Sequence, residues 1–213
     1  MDMFTLAIFL LILTNMVILG SSRIAACIRA VAVQGMVLGI IPLLTLAHAR
    51  LGEHLLLAAV CFVLKGAVFP WLLFRALQMA RVRREVEPFV GFSLSLLFGL
   101  LALVASFYVG SRLDLSMTKT FSMLISYAFF TIITGLFILV SRRKALSMVL
   151  GYLVLENGIY GLGMVLSDRM PFLVELGVLL DILVAVFAMG IATYQINREF
   201  DHTDVDKLNR LRG

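Results

Sequence analysis

The sequence predicts an all-α membrane protein with seven transmembrane helices, its N-terminus outside and its C-terminus cytoplasmic. Three observations carry this expectation. Of 213 residues, 62% are hydrophobic and 15% charged, with a mean hydropathy of +1.04. A water-soluble domain carries about 25% charged and 45–50% apolar residues. The apolar residues fall into seven runs near the length of about 20 residues that a helix needs to cross a bilayer, and none alternates with the two-residue period of a barrel strand. Finally, thirteen of the eighteen Lys and Arg residues fall on the side that holds the connections after runs one, three and five and the C-terminal tail, against four on the other side. Cytoplasmic loops carry such an excess.

The first run, Met3–Gly20, has no basic residue before it and no cleavage pattern after it, and reads as a retained span, not a signal peptide. The second, Ala25–Ala47, carries Gln34 and a G-x-x-x-G at Gly35 and Gly39, a spacing that lets helices approach closely. The third, Leu55–Met79, carries Lys65 with Pro70 five residues on. The fourth and fifth, Phe89–Gly110 and Phe121–Ser141, hold no acidic or basic residue between their ends. The sixth, Ala145–Leu166, has Glu156 followed by Gly158, Gly161 and Gly163. The seventh, Phe172–Gln195, has Asp181 at mid-length and Glu175 nearer its outer end. Residues 197–213 form a tail of mixed charge in which Val205, Leu208 and Leu211 recur at three-residue spacing. His48 and His54 flank the outer ends of runs two and three and read as loop histidines.

These placements exclude several functions. The basic residues cluster at the ends of apolar runs, which sets membrane orientation and leaves no basic stripe with interleaved aromatics for nucleic acid. Cys27 and Cys61 both fall inside spans, and no spacing of a zinc or iron–sulfur ligand set is present. No catalytic centre and no metal site is expected in this chain.

A buried polar layer remains. At 1.5 Å per residue, Gln34, Lys65, Glu156 and Asp181 each lie roughly 15 Å from a helix end, near the middle of a hydrocarbon core about 30 Å thick. Glu175 lies only about 6 Å from the outer surface. A charge at the bilayer centre costs about 3 kcal/mol on insertion scales. Two central acids face one central base, so the charges do not cancel. Desolvation and a neighbouring ammonium act on a buried carboxyl in opposite senses. One reading is a structural pair that glues helices together. The other is proton handling by Glu156, Asp181, Lys65 and Glu175, with Gln34, His48 and His54 as secondary polar groups.

The segments G-Y-L-V-L-E-N-G around Glu156, L-V-E-L-G-V-L-L-D around Glu175 and Asp181, and L-K-G-A-V-F-P around Lys65, with the ending D-V-D-K-L-N-R-L-R-G, resemble hydrogenase-4 component E. The resemblance covers essentially the whole chain. It implies a non-catalytic membrane subunit of complexes built around a group 4 NiFe hydrogenase, such as formate hydrogenlyase, in the inner (plasma) membrane of a prokaryote. The NiFe centre and iron–sulfur clusters would then lie in partner subunits. Those partners would be antiporter-like membrane subunits, an H-type membrane subunit of the complex I kind, and peripheral hydrogenase-like subunits. The family is in turn similar to the K-type subunit of complex I, whose three helices match spans five to seven. On that match Glu156 falls on the acid of the second helix. Asp181 falls on that of the third, an Asp where the K-type chain carries Glu. The implied division is a four-helix half over residues 1–118, a three-helix half over 119–196, and a tail over 197–213.

Overall fold

The fold is taken from a computed structural model that describes residues 3–45, 59, 62–79, 89–113 and 119–166. The described residues form helices and short turns, with no sheet. We number the helices α1 (Met3–Gly20), α2 (Ile24–Thr45), α3 (Phe69–Met79, preceded by a wide turn over Leu64–Val68), α4 (Phe92–Arg112), α5 (Lys119–Ser141) and α6 (Ala145–Leu166). All except α3 are long and apolar enough to cross a membrane. The bounds of α1 and α6 coincide with the first and sixth apolar runs, and those of α2, α4 and α5 lie within a few residues of theirs. The seventh run and the tail lie outside the described residues.

Two apolar clusters show how the helices run. One joins the end of α1 (Ile18, Leu19) to the start of α2 (Ile24, Ile28), the end of α5 (Ile138) and the start of α6 (Leu146, Leu150). The other joins the first half of α1 (Ile8, Leu11) to the end of α2 (Leu38, Ile41), the start of α5 (Leu124, Ile125) and the end of α6 (Val165). Successive helices α1 and α2, and α5 and α6, are therefore antiparallel. The four form the centre of the bundle, with α4 laid against α5 and α1, and α3 against α2. Helix α3 joins the first cluster through Phe69, Leu73, Ala76 and Leu77, the i, i+4, i+7, i+8 stripe of one helix face. Helix α4 turns Ser95, Gly99, Ala102, Ser106 and Gly110 inward and Leu94, Leu97, Leu101 and Val104 outward. Small residues inside and large apolar ones outside suit a helix that packs closely in lipid.

One residue at the edge of the first cluster departs from expectation. Arg142, a basic residue just past the fifth apolar run, is only 2% exposed. Its Nη2 donates to the Leu19 carbonyl at 3.0 Å, and the guanidinium lies over the Phe92 ring. The helix macrodipole makes the last carbonyls of α1 a favourable place for a cation. Burial lowers the Arg142 pKa from its ordinary value, but guanidinium remains charged in proteins. Nη1 of Arg142 and Oγ of Ser147 have no partner among the described residues, and both side chains line a cavity of about 10 Å³ with Ile18, Cys27, Ile138 and Leu150. A space of that size is close to the lower limit for one water. Arg142→Ala is expected to lower stability by about 1.5–3 kcal/mol, the range for a hydrogen bond to a charged group. Thermal unfolding of the detergent-solubilised protein measures it.

Candidate functional site

The site begins with a proline. Pro70 has no N–H to continue the helix ladder, and its ring crowds the carbonyl four residues earlier. Immediately before it the backbone widens by one residue, and the Phe69 N–H bonds to the Leu64 carbonyl. Such wide turns are rare and occur frequently at functional positions. This one carries Lys65 into the bundle, where it is 4% exposed. Helix α2 admits it at Gly35. A Cβ there would lie 2.5 Å from the Lys65 Cβ and 2.7 Å from its carbonyl carbon, so only glycine permits the approach.

Opposite Lys65, α6 presents Glu156, and the ammonium and carboxylate form a buried ion pair. Glu156 is 1% exposed. It sits where α5 and α6 pack closely: a Cβ on Gly135 would lie 2.4 Å from the Leu155 backbone nitrogen, and one on Gly158 2.7 Å from that of Ile132. Lys65 Nζ also donates to Asn157 Oδ1 at 3.4 Å and lies 5.1 Å from the centre of the Tyr160 ring. Asn157 Nδ2 donates to Gln34 Oε1 at 3.3 Å. Gln34 Nε2 donates to Asn15 Oδ1 at 2.7 Å, and Asn15 Nδ2 to Thr131 Oγ1 at 2.8 Å. The layer lies between the two apolar clusters and draws on α1, α2, α5, α6 and the wide turn.

The structure thus brings Gln34, Lys65 and Glu156 to one place, as their common depth predicts. Asp181, Glu175, His48 and His54 lie outside the described residues. Tyr160, one turn beyond Glu156 on α6, borders the ion pair. Asn15, Thr131 and Asn157 escape a reading by depth that takes only charged residues and one glutamine. Applied to every polar residue, the same rule finds them: Asn15 and Thr131 each stand about 18 Å into their helices, and Asn157 adjoins Glu156. Among the described residues no group of three or more His, Cys, Asp or Glu side chains is placed to hold a metal ion.

An ion pair with these partners can do two kinds of work. It can hold helices together at fixed register, or it can store a proton, because lysine and carboxylate together pass between charged and neutral forms without either entering water. In a medium of low effective dielectric, one added charge is felt strongly by neighbouring ionisable groups.

Comparison with known proteins adds a family. The chain is 34% identical over 206 residues to an uncharacterized protein of Mycobacterium tuberculosis, covering 95% of this chain and 92% of that one. It is 29% identical over 171 residues to hydrogenase-4 component E of Escherichia coli K12, covering 79% of each chain, and equally similar to that of Shigella flexneri. No family model matches, and no solved structure matches significantly.

Proposed function

We propose that this chain, which belongs to the hydrogenase-4 component E family, is a membrane subunit of a hydrogenase-related redox complex and relays protons through its mid-membrane ionisable groups. The observation that carries the proposal is the buried Lys65–Glu156 pair. Apolar surroundings make such a pair costly, and ionisable groups kept inside a membrane commonly mark ion pathways. In this reading seven helices cross the membrane, with the N-terminus outside and the tail in the cytoplasm of a prokaryote. The three-helix half, residues 119–196, plays the part of the K-type chain of complex I. Glu156 exchanges protons with Lys65 on one side and with Asp181 on the other, and Glu175 gives access from the outer face. Redox chemistry at a NiFe centre and iron–sulfur clusters belongs to peripheral partner subunits. Antiporter-like subunits and an H-type neighbour receive the charge movement in the plane of the membrane.

The closed geometry of the pair also favours a second reading, in which Lys65 and Glu156 serve only to fasten α6 to the wide turn. One substitution separates the two. With the whole complex in proteoliposomes and an artificial low-potential electron donor, Glu156→Gln is expected to keep the subunits together and the redox turnover running, while proton movement falls to background. Assembly is followed by affinity purification with mass spectrometry, and proton movement by a fluorescent pH probe. Undiminished proton movement in that variant would falsify the relay, and loss of assembly would favour the fastening role.

A further inference from the structure

The amides beside the ion pair have a direction. Thr131 Oγ1 donates its one proton to the Tyr127 carbonyl at 2.8 Å, so towards Asn15 it can only accept. Asn15 must therefore offer it Nδ2, which leaves Oδ1 for Gln34. Gln34 then offers Nε2 to Asn15 and Oε1 to Asn157, and Asn157 offers Oδ1 to Lys65. At the opposite end an ammonium has donors and no acceptor, which demands that same Oδ1. The two ends fix the orientation of all three amides independently, and they agree. Every member is at most 4% exposed, so water does not compete for these bonds.

From this we infer that Asn157, Gln34, Asn15 and Thr131 form a polarised hydrogen-bond chain that positions Lys65 and sets the balance between the charged and neutral forms of the Lys65–Glu156 pair. The inference rests on the reading of that pair as a proton-holding site. Hydrogen bonds in series polarise one another, and each donor here points away from Lys65, so the carbonyl of Asn157 is made a better acceptor for the ammonium. The chain is also a stop. An amide nitrogen gives up or takes on a proton far less readily than a carboxyl or an amine, so a proton on Lys65 has no acceptor along Asn157, Gln34 and Asn15. Protons leave the pair by Glu156 and not towards α1 and α5. Thr131 and Asn15, on α5 and α1, are positioning residues that act through their neighbours.

The test follows the protonated-carboxyl infrared band that Glu156→Gln removes, in the full-length protein reconstituted in lipid. At the wild-type titration midpoint, Thr131→Val should raise that band from half towards its full intensity, because Asn15 loses its anchor and the amides are free to turn. Thr131→Ser, which restores the hydroxyl, should return it to the wild-type level. A folded Thr131→Val protein with an unchanged band overturns the chain and leaves the proton-holding pair standing. If Glu156 shows no pH-dependent band at all, the proton-holding reading fails and the inference falls with it. Should Thr131→Val not fold, the wild-type protein still decides. With nitrogen-15 in its Asn and Gln side chains, the amide resonances of Asn157, Gln34 and Asn15 are expected to shift with one common midpoint as the pair titrates. Resonances of Asn15 and Gln34 that stay fixed overturn the inference.

Discussion

Lys65→Met should be among the most damaging single substitutions at the described residues, lowering stability by about 3–5 kcal/mol, the range for removing one partner of a buried ion pair. The reason lies in what remains. Glu156 is 1% exposed, and without the ammonium its carboxylate must stay uncompensated in an apolar bundle or take up a proton. Asn157 Oδ1 loses a donor as well, which leaves an acceptor buried without its bond at a cost of about 1–3 kcal/mol. Glu156→Gln should be milder, because a side-chain amide keeps an oxygen that accepts from Lys65, and the buried ammonium left without its counter-charge can shed a proton and become neutral. The double variant Lys65→Met with Glu156→Leu should recover most of the loss, since replacing both members by apolar groups of similar size is often neutral. Denaturation by SDS in mixed micelles measures all of these. Equal losses in Lys65→Met and in the double variant would mean that the pair is not the source of the effect.

The helices are legible in the sequence because lipid imposes one requirement on every span: a run of apolar residues long enough to close its own hydrogen bonds. The end of α1 and the start of α6 can be read to the residue, since Ser21–Ser22 and Arg142–Arg143–Lys144 break the runs sharply. The depth of Gln34, Lys65 and Glu156 is legible for the same reason, because rise per residue converts position into height. Height says nothing about rotation around the helix axis. Which residues meet Lys65 depends on the extra residue in the turn before Pro70 and on Gly35 allowing its approach, and neither appears in a hydropathy pattern. The burial of Arg142 escapes the sequence for a related reason. A basic residue at the end of a run reads as a loop charge, and only the packing of α1 and α4 against α5 shows that the Leu19 carbonyl and the Phe92 ring enclose it. The amide chain is partly visible as polar residues at common height, but its direction follows only from the bonds at Thr131 and at Lys65.

Gly35 should be nearly as intolerant as Lys65, and for a reason independent of charge. The atoms nearest a Cβ at position 35 are the Cβ, carbonyl carbon and carbonyl oxygen of Lys65, at 2.5, 2.7 and 2.8 Å. These belong to the backbone or to the first atom of a side chain and cannot rotate away, so α2 and the wide turn must separate. Overpacking of this kind costs about 1–3 kcal/mol, sometimes more. Gly35→Ala is expected at the upper part of that range and Gly35→Val beyond it. The separation also has a chemical consequence. Gln34 precedes Gly35 in α2, so a shift of this turn strains the Gln34 bonds to Asn15 and Asn157 and withdraws Lys65 from Glu156 together. Gly35→Ala should therefore lose proton movement along with stability, whereas Glu156→Gln should lose proton movement with little change in stability. Gly91 supplies the comparison, because a Cβ there meets nothing within 4 Å and Gly91→Ala should leave both properties unchanged. A Gly35→Ala protein as stable as Gly91→Ala would show that α2 does not hold the lysine turn at contact distance, and the geometry that brings Lys65 to Glu156 would need another source.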